Sequence, residues 1–489
     1  MRSKTFKTVL ILFLSIIIFS LAASDLQAFR TQQREDLTAK VDELFEQWNK
    51  NDSPGAAIGI FQEGRIIYAR GYGMANLEHN IPITPQSVFR VGSVSKQFTA
   101  MCIALLVEQG KISLDDDIRK YLPEMHEFDH DVTVRHLIHH TSGMRDYLVL
   151  QGLAGRSQGY FYNSRDVLDL LSRQKGLDFR PGDAYSYSNS GYFLLAEIVN
   201  RASGLKTREF AKKYIFEPLG MNSTHFHDDP NMIVKNRAAG YMPLEEGGFR
   251  IHMTQLDMIG DGGIFTSVED FFKWDQNFFA NRLGKGSSEL IKMVITPGKL
   301  NDGKGINYAF ALVVDRYKGL KTIGHSGSFV GYKAHYLQFP EPGFSVVILS
   351  NLGSFNPGRL AYTIADLYLA DLFTEDRKSE RDNNQKEIPK IITLPLDQME
   401  KFGGEYYSDE LDATAFLRLD RKGIVFKLGR YTGDLAPISS NTFLGTYLND
   451  DAYDLEYRKI EFVEDRENRI SGFIMETDQI KNLMFKKIR

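Results

Sequence analysis

Apolar residues recur along this chain with two different periods, and the switches between them mark out its elements. Leu37, Val41, Leu44, Phe45 and Trp48 sit at helical spacing, so residues about 34–49 are predicted to form an amphipathic helix. Residues 56–61 and 65–70, joined through Glu63-Gly64, read as a β-hairpin. The stretch 93–109, rich in Ala, Leu, Met and Ile, predicts a second helix with Gly110 as its natural stop. Ser267-Val268-Glu269-Asp270 predicts a capping box before an aromatic helix over 271–279. Strands are expected over 322–327, 334–339 and 344–350, the last two turned by Pro340-Glu341-Pro342-Gly343. Leu360, Ile364, Leu367 and Tyr368 give a closing helix. Strands at both ends thus flank a long, mostly helical middle, the pattern of an α+β domain over residues 30–374.

The pattern then breaks. Nine of the thirteen residues 375–387 are charged and none is apolar, which marks a solvated linker, drawn here as 375–395. Beyond it, short β-rich runs such as Phe416-Leu417-Arg418-Leu419 and Gly472-Phe473-Ile474-Met475 recur between Asp, Asn and Gly turns. Residues 396–489 are therefore expected to form a small antiparallel barrel or sandwich.

The first 28 residues stand apart from both units. Arg2, Lys4 and Lys7 precede an apolar run from Val9 to Leu21, and small residues follow up to Ala28. That order is the order of a secretory signal peptide. As a helix the run would be roughly 20 Å long, too short for the roughly 30 Å core of a bilayer. The expectation is a periplasmic or secreted protein with no stable membrane insertion after cleavage. Without this segment the chain carries 56 basic and 62 acidic residues, a net of −6.

Composition narrows the function classes. With 489 residues, 43% hydrophobic and 25% charged, the chain is globular and multidomain, neither disordered nor collagen-like. Near-balanced charge (59 basic against 63 acidic residues) gives no reason to expect a nucleic-acid partner. A single cysteine, Cys102, excludes an internal disulfide and any Cys-based metal site, and its apolar surroundings make it a small buried hydrophobe. His126-Glu-Phe-Asp-His130 has metal-like spacing but no evident third ligand. No metal and no cofactor are expected, and the sequence sets no oligomeric state.

The chemistry starts at Ser93-Val94-Ser95-Lys96. A serine at the first turn of a helix and a lysine three residues on share one face, which can put a hydroxyl nucleophile beside an amine base. Ser95 diverges from that face. Ser172-Arg-Gln-Lys175 and Ser203-Gly-Leu-Lys206 match the same pattern, and each of the three, taken singly, is a helix-start serine with a solvated lysine. Context separates them. Only Ser93 opens a long apolar helix, and it alone precedes both Tyr187-Ser188-Asn189 and His325-Ser326-Gly327 in order.

In these three motifs the sequence resembles the serine β-lactamase and penicillin-binding-protein superfamily, specifically the branch of class C β-lactamases, DD-peptidases and esterases. Tyr121-Leu-Pro123, Arg135-His-Leu-Ile-His-His-Thr-Ser-Gly143 and Gly262-Gly263 add to the likeness, which covers about residues 35–373. The resemblance implies an acyl-enzyme on Ser93, proton traffic shared by Lys96 and Tyr187, and Asn189 bonded to the substrate amide or to Lys96. His325, Ser326 and Gly327 would line the substrate on an edge strand, with the backbone N–H groups of Ser93 and Ser328 as the oxyanion hole. His140 would support the site from behind. His325 replaces the lysine of the K-T-G motif, removing a permanent cation. No equivalent of the class A deacylating glutamate is present. The C-terminal unit resembles lipocalin-like barrels appended to some relatives. The implied activity is hydrolysis of an amide or ester in a small-molecule or peptide substrate, of DD-carboxypeptidase or D-aminopeptidase type. The alternatives are a carboxylesterase and a non-catalytic sensor or scaffold of the same fold.

Overall fold

The computed structural model describes residues 35–156, 162–374, 390–421, 423–429, 431–445, 458–477 and 480–489. The expected signal segment and the charged run 375–387 lie outside the described residues. The first predicted helix is present over residues 35–45, extended by a short 3₁₀ turn Glu46–Trp48.

Six strands form the central sheet: β1 Ala56–Gln62, β2 Arg65–Tyr72, β3 Val313–Tyr317, β4 Leu320–Phe329, β5 Tyr332–Phe339 and β6 Phe344–Ser350. Their order is β3-β4-β5-β6-β1-β2, antiparallel throughout, so the two ends of the domain's sequence meet where β1 pairs with β6. Strand periodicity then sorts side chains to two faces. Ala56, Ile58 and Ile60 pack with Val41 and Phe45 of the first helix and with Leu360 and Ile364 of the closing helix Pro357–Tyr368. Ala57 and Phe61 face the other way, into the helical middle of the domain. There the helix Lys96–Glu108 is buried over nearly its whole length, Cys102 included. Tyr192, Phe193, Phe271 and Trp274 are core residues, as their spacing suggested.

Two expectations need correction. Ser267 does cap its helix, accepting from Asp270 N (3.2 Å), but the helix is Val268–Phe279 and the capping box is not closed. The Asp270 carboxylate accepts instead from Ser223 N and Thr224 Oγ1 on a neighbouring segment. Second, β4, which carries His325-Ser326-Gly327, is not an edge strand. β3 covers it over Leu320–Gly324 only, so the stretch from His325 onward is open on that side although the strand lies inside the sheet.

The C-terminal unit is a closed barrel of eight antiparallel strands, from Gly404–Ser408 to Leu483–Lys487. Phe402, Tyr406, Phe426, Phe443, Phe462, Phe473 and Phe485 fill its interior. Its loops grip the catalytic domain at Arg145. That side chain is fully buried and donates to Glu410 Oε2 (2.5 Å), Gln174 Oε1 (2.9 Å), Lys481 O (3.1 Å) and Asn482 O (3.0 Å). Asp178 accepts from Lys481 N on the same seam. Removing one member of a buried ion pair strands the other charge, at about 3–5 kcal/mol. Glu410→Ala is therefore expected to lower stability in denaturant unfolding by about that amount, and Glu410→Gln, which keeps an acceptor, by less; equal stability of all three proteins would show that the clamp contributes nothing.

Candidate active site

The chain reaches the site through a tight turn. Gly92–Ser95 forms a 3₁₀ turn that runs directly into the helix Lys96–Glu108. Ser93 is half-buried at its head, and Lys96, one turn on, is fully buried. Lys96 Nζ lies 3.1 Å from Ser93 Oγ, 2.8 Å from Asn189 Oδ1 and 2.7 Å from Asp261 O. Burial lowers the lysine pKa to about 8, against the pull of the Asp261 and Asp146 charges. Once neutral, the amine keeps two N–H donors for Asn189 Oδ1 and Asp261 O. Its lone pair is then left to accept the Ser93 hydroxyl proton, as nucleophile activation requires.

Asn189 begins the helix Asn189–Ser203, and its amide is oriented by a carboxylate. Asp146 Oδ2 accepts from Asn189 N (2.6 Å) and from Asn189 Nδ2 (2.9 Å), which turns Oδ1 toward Lys96. The other oxygen of Asp146 caps the helix Tyr147–Leu153 through Leu148 N. One carboxylate thus closes two helix N-termini, where negative charge is favoured. Its neighbour in sequence is Arg145, the residue held by the barrel.

Tyr187 stands over the amine, with Lys96 Nζ 4.9 Å from its ring centroid. Burial raises the phenol pKa well above its ordinary value, against a hydrogen bond with Ser93, so Tyr187 is a neutral donor at physiological pH. Its ring packs on His140 (centroids 4.2 Å) and lies 6.2 Å from that of His325. His140 takes a left-handed φ of 55° and accepts from Ser188 N (3.1 Å), fixing the backbone between Tyr187 and Asn189.

His325 is buried, and its Nδ1 lies 2.6 Å from Ser326 O, which can only accept. Nδ1 therefore carries the proton and Nε2 accepts from Tyr308 Oη (3.0 Å). Burial and the Lys96 charge push its pKa down to about 3, so this side of the cleft is neutral. Ser326 Oγ pairs with His335 Nδ1 (2.8 Å) on β5, and Ser328 Oγ accepts from Lys333 Nζ (2.7 Å).

Two glycines let β4 approach the nucleophile turn. A Cβ on Gly327 would lie 1.9 Å from Val91 O and 3.1 Å from Ser93 N, and one on Gly92 (φ 51°) would lie 2.6 Å from Ser328 N. The Ser93 and Ser328 backbones are thereby side by side, as an oxyanion hole needs. The cleft has two arms meeting at Ser93, Tyr187 and Ser328. One is lined by Arg90, Leu148, Val149, Leu256 and Met258, the other by His325, Ser326, Gly327, Lys333 and Asn356.

Of the expected site residues, Ser93, Tyr187, Asn189, His325, Ser326, Gly327 and Ser328 line this cleft and Lys96 lies buried behind Ser93, while the two competing serine–lysine pairs are elsewhere. Ser203 Oγ bonds Val199 O at the end of its own helix, and Lys175 Nζ reaches Asp409 of the barrel. Asp146, Asp261 and Tyr308 were missed from the sequence. Asp146 lies three residues beyond the family-like segment ending at Gly143, and Asp261 immediately precedes Gly262-Gly263, so both were within reach. Tyr308 carries no local signal. Among the described residues no group of three or more His, Cys, Asp or Glu is placed to hold a metal ion, and no helix is long and apolar enough to cross a membrane.

Fold and cleft are those of a β-lactamase-like serine hydrolase. The Beta-lactamase family model matches residues 38–370, and the chain belongs to that family. It is 28% identical over 298 residues to the D-aminopeptidase of Gluconobacter oxydans, covering 61% of this chain and 56% of that protein. It is 30% identical over 338 residues to penicillin-binding protein 4* of Bacillus subtilis, covering 63% and 70%. The chain thus spans little more than half the length of that D-aminopeptidase. The solved structure of the octameric penicillin-binding protein homologue from Pyrococcus abyssi superposes with a TM-score of 0.60 at 24% identity, covering 92% of this chain and 100% of that one.

Proposed function

We propose that this chain is an exported serine hydrolase that cleaves an amide or ester bond through an acyl-enzyme on Ser93, acting on D-amino-acid peptides of DD-carboxypeptidase or D-aminopeptidase type. The observation that carries the reading is the position of Lys96 Nζ, 3.1 Å from Ser93 Oγ and anchored by Asn189 Oδ1 and Asp261 O. In the reading, neutral Lys96 takes the Ser93 proton as Oγ attacks the carbonyl carbon. The N–H groups of Ser93 and Ser328 hold the developing oxyanion. Tyr187, a neutral phenol, passes a proton to the leaving nitrogen or oxygen and is restored by the proton that Lys96 took from Ser93, so both groups end neutral, and water then releases the acid by the reverse sequence. Export rests on the charged, apolar, small-residue order of residues 2–28. The D-amino-acid substrate is supported by the D-aminopeptidase relative.

The test is covalent labelling followed by turnover. A fluorophosphonate is expected to label the wild-type chain and not Ser93→Ala, and a D-alanine amide or D-alanyl peptide to be hydrolysed in preference to its L-isomer. Labelling at another serine would remove the mechanism. Labelling with turnover of simple esters alone would favour the carboxylesterase reading, which the neutral His325 also suits. Absence of both would leave a non-catalytic scaffold.

A further inference from the structure

Arg90 lies three residues before Ser93, on the short strand Phe89–Arg90 that pairs with Phe265 and Thr266. It is only 4% exposed, yet it lines the same arm of the cleft as Ser93, Tyr187 and Asn189. Its guanidinium sits 4.7 Å from the Phe329 ring centroid and 5.9 Å from that of Phe265. Its Nε has no hydrogen-bond partner among the described residues. Asp261 is near enough to be felt through its charge, but its carboxylate accepts from Tyr147 Oη (2.9 Å). Asp146 also lines this arm, with its carboxylate oxygens already accepting from Asn189 Nδ2 and Leu148 N. Arg237 is also stacked on Phe265 (5.2 Å), and His227 beside them is held neutral by burial and by these two arginines. A guanidinium taken out of water without a hydrogen-bonded anion is strongly disfavoured, and ring faces return only part of that loss.

We propose that Arg90 is an anion-recognition residue whose guanidinium binds a carboxylate carried by the substrate in this arm of the cleft. This rests on the hydrolase reading above and names the substrate class for it. A carboxylate entering from the cleft offers two acceptors to a planar fork of donors. Leu148, Val149, Leu256 and Met258 exclude water around the pair, which strengthens it. The other arm holds its own cation, Lys333, but that ammonium is already bonded to Ser328 Oγ.

The test separates the two readings. N-succinyl-D-alanine has a carboxylate at each end of its amide, so the orientation of binding need not be presumed; its dimethyl ester has none. Binding of both to full-length Ser93→Ala protein is measured by calorimetry, and no turnover is needed. The diacid is expected to bind about 10- to 100-fold more tightly than the diester, the worth of a charge-assisted hydrogen-bonded pair. Added Arg90→Gln is expected to bring that ratio close to one, and Lys333→Gln to leave it standing. Arg90→Lys, which keeps the charge and loses the fork, is expected to give an intermediate ratio and guards against misfolding of the glutamine variant. Equal binding of the two probes, or a preference that survives Arg90→Gln, or one abolished only by Lys333→Gln, overturns the proposal. Such a result with Ser93 labelling intact leaves the hydrolase reading in place. Failure of labelling with the preference intact does the reverse.

Discussion

Lys96→Ala is expected to abolish detectable acylation of Ser93, with a loss of at least about a hundred- to ten-thousand-fold, the usual contribution of a general base. The geometry gives the reason. The Ser93 hydroxyl has a base 3.1 Å away whose other two contacts, Asn189 Oδ1 and Asp261 O, must be N–H acceptors, so deprotonation directs the lone pair to Ser93. Lys96→Arg should do no better, because a guanidinium stays protonated throughout the working range. Lys206→Ala and Lys175→Ala lie off the cleft and should label at nearly the wild-type rate. The pH dependence has a definite sign. The active form is the neutral amine, and burial lowers the Lys96 pKa to about 8, so the labelling rate should rise with pH through about 8 and level off above it. His325 contributes no limb near neutrality, being deprotonated down to about pH 3. Rates are measured with a fluorophosphonate under pseudo-first-order conditions. A flat profile between pH 6 and 9, or equal loss in the three lysine variants, would remove Lys96 from the mechanism.

Gly327→Ala is expected to damage acylation nearly as much without removing any catalytic side chain. The added methyl would sit 1.9 Å from Val91 O, a backbone atom that no rotamer can move aside. Either β4 or the nucleophile turn must shift, and the Ser328 N–H leaves the position that faces the oxyanion. Loss of one such donor lowers kcat by about a hundred- to a thousand-fold. The signature is a fall in kcat with KM and the pH midpoint near 8 retained, since the Lys96 contacts lie on the other side of Ser93. Thermal unfolding serves as the control. Wild-type turnover by a properly folded Gly327→Ala protein would exclude the β4 backbone from the oxyanion hole.

The barrel's grip on Arg145 ties the two units together close to the chemistry. Asp146, the next residue, orients Asn189, which in turn holds Lys96. The C-terminal unit therefore rests against the support of the catalytic amine, although the two are separated by a charged linker in sequence.

Much of this was legible from residue order alone. Period-2 runs placed β1, β5 and β6 within a residue or two, and the apolar helix opening at Ser93 singled out one serine–lysine pair among three. Local propensity and burial decide these features, and both are written into nearest neighbours. The order of the three motifs even anticipated their meeting. What needed the folded chain was everything set by contacts between distant segments. Asp261 approaches Lys96 from 165 residues away through a backbone carbonyl, which has no residue-type signature. Tyr308 donates to His325 Nε2 from a loop without a motif. The same holds for the partial covering of β4 by β3 and for the Arg145–Glu410 clamp across 265 residues. Side-chain chemistry and short-range periodicity travel with the chain itself; the loss of a proton from a lysine, the exposure of a strand edge and the pairing of a buried arginine come into being only when remote parts exclude water from one another.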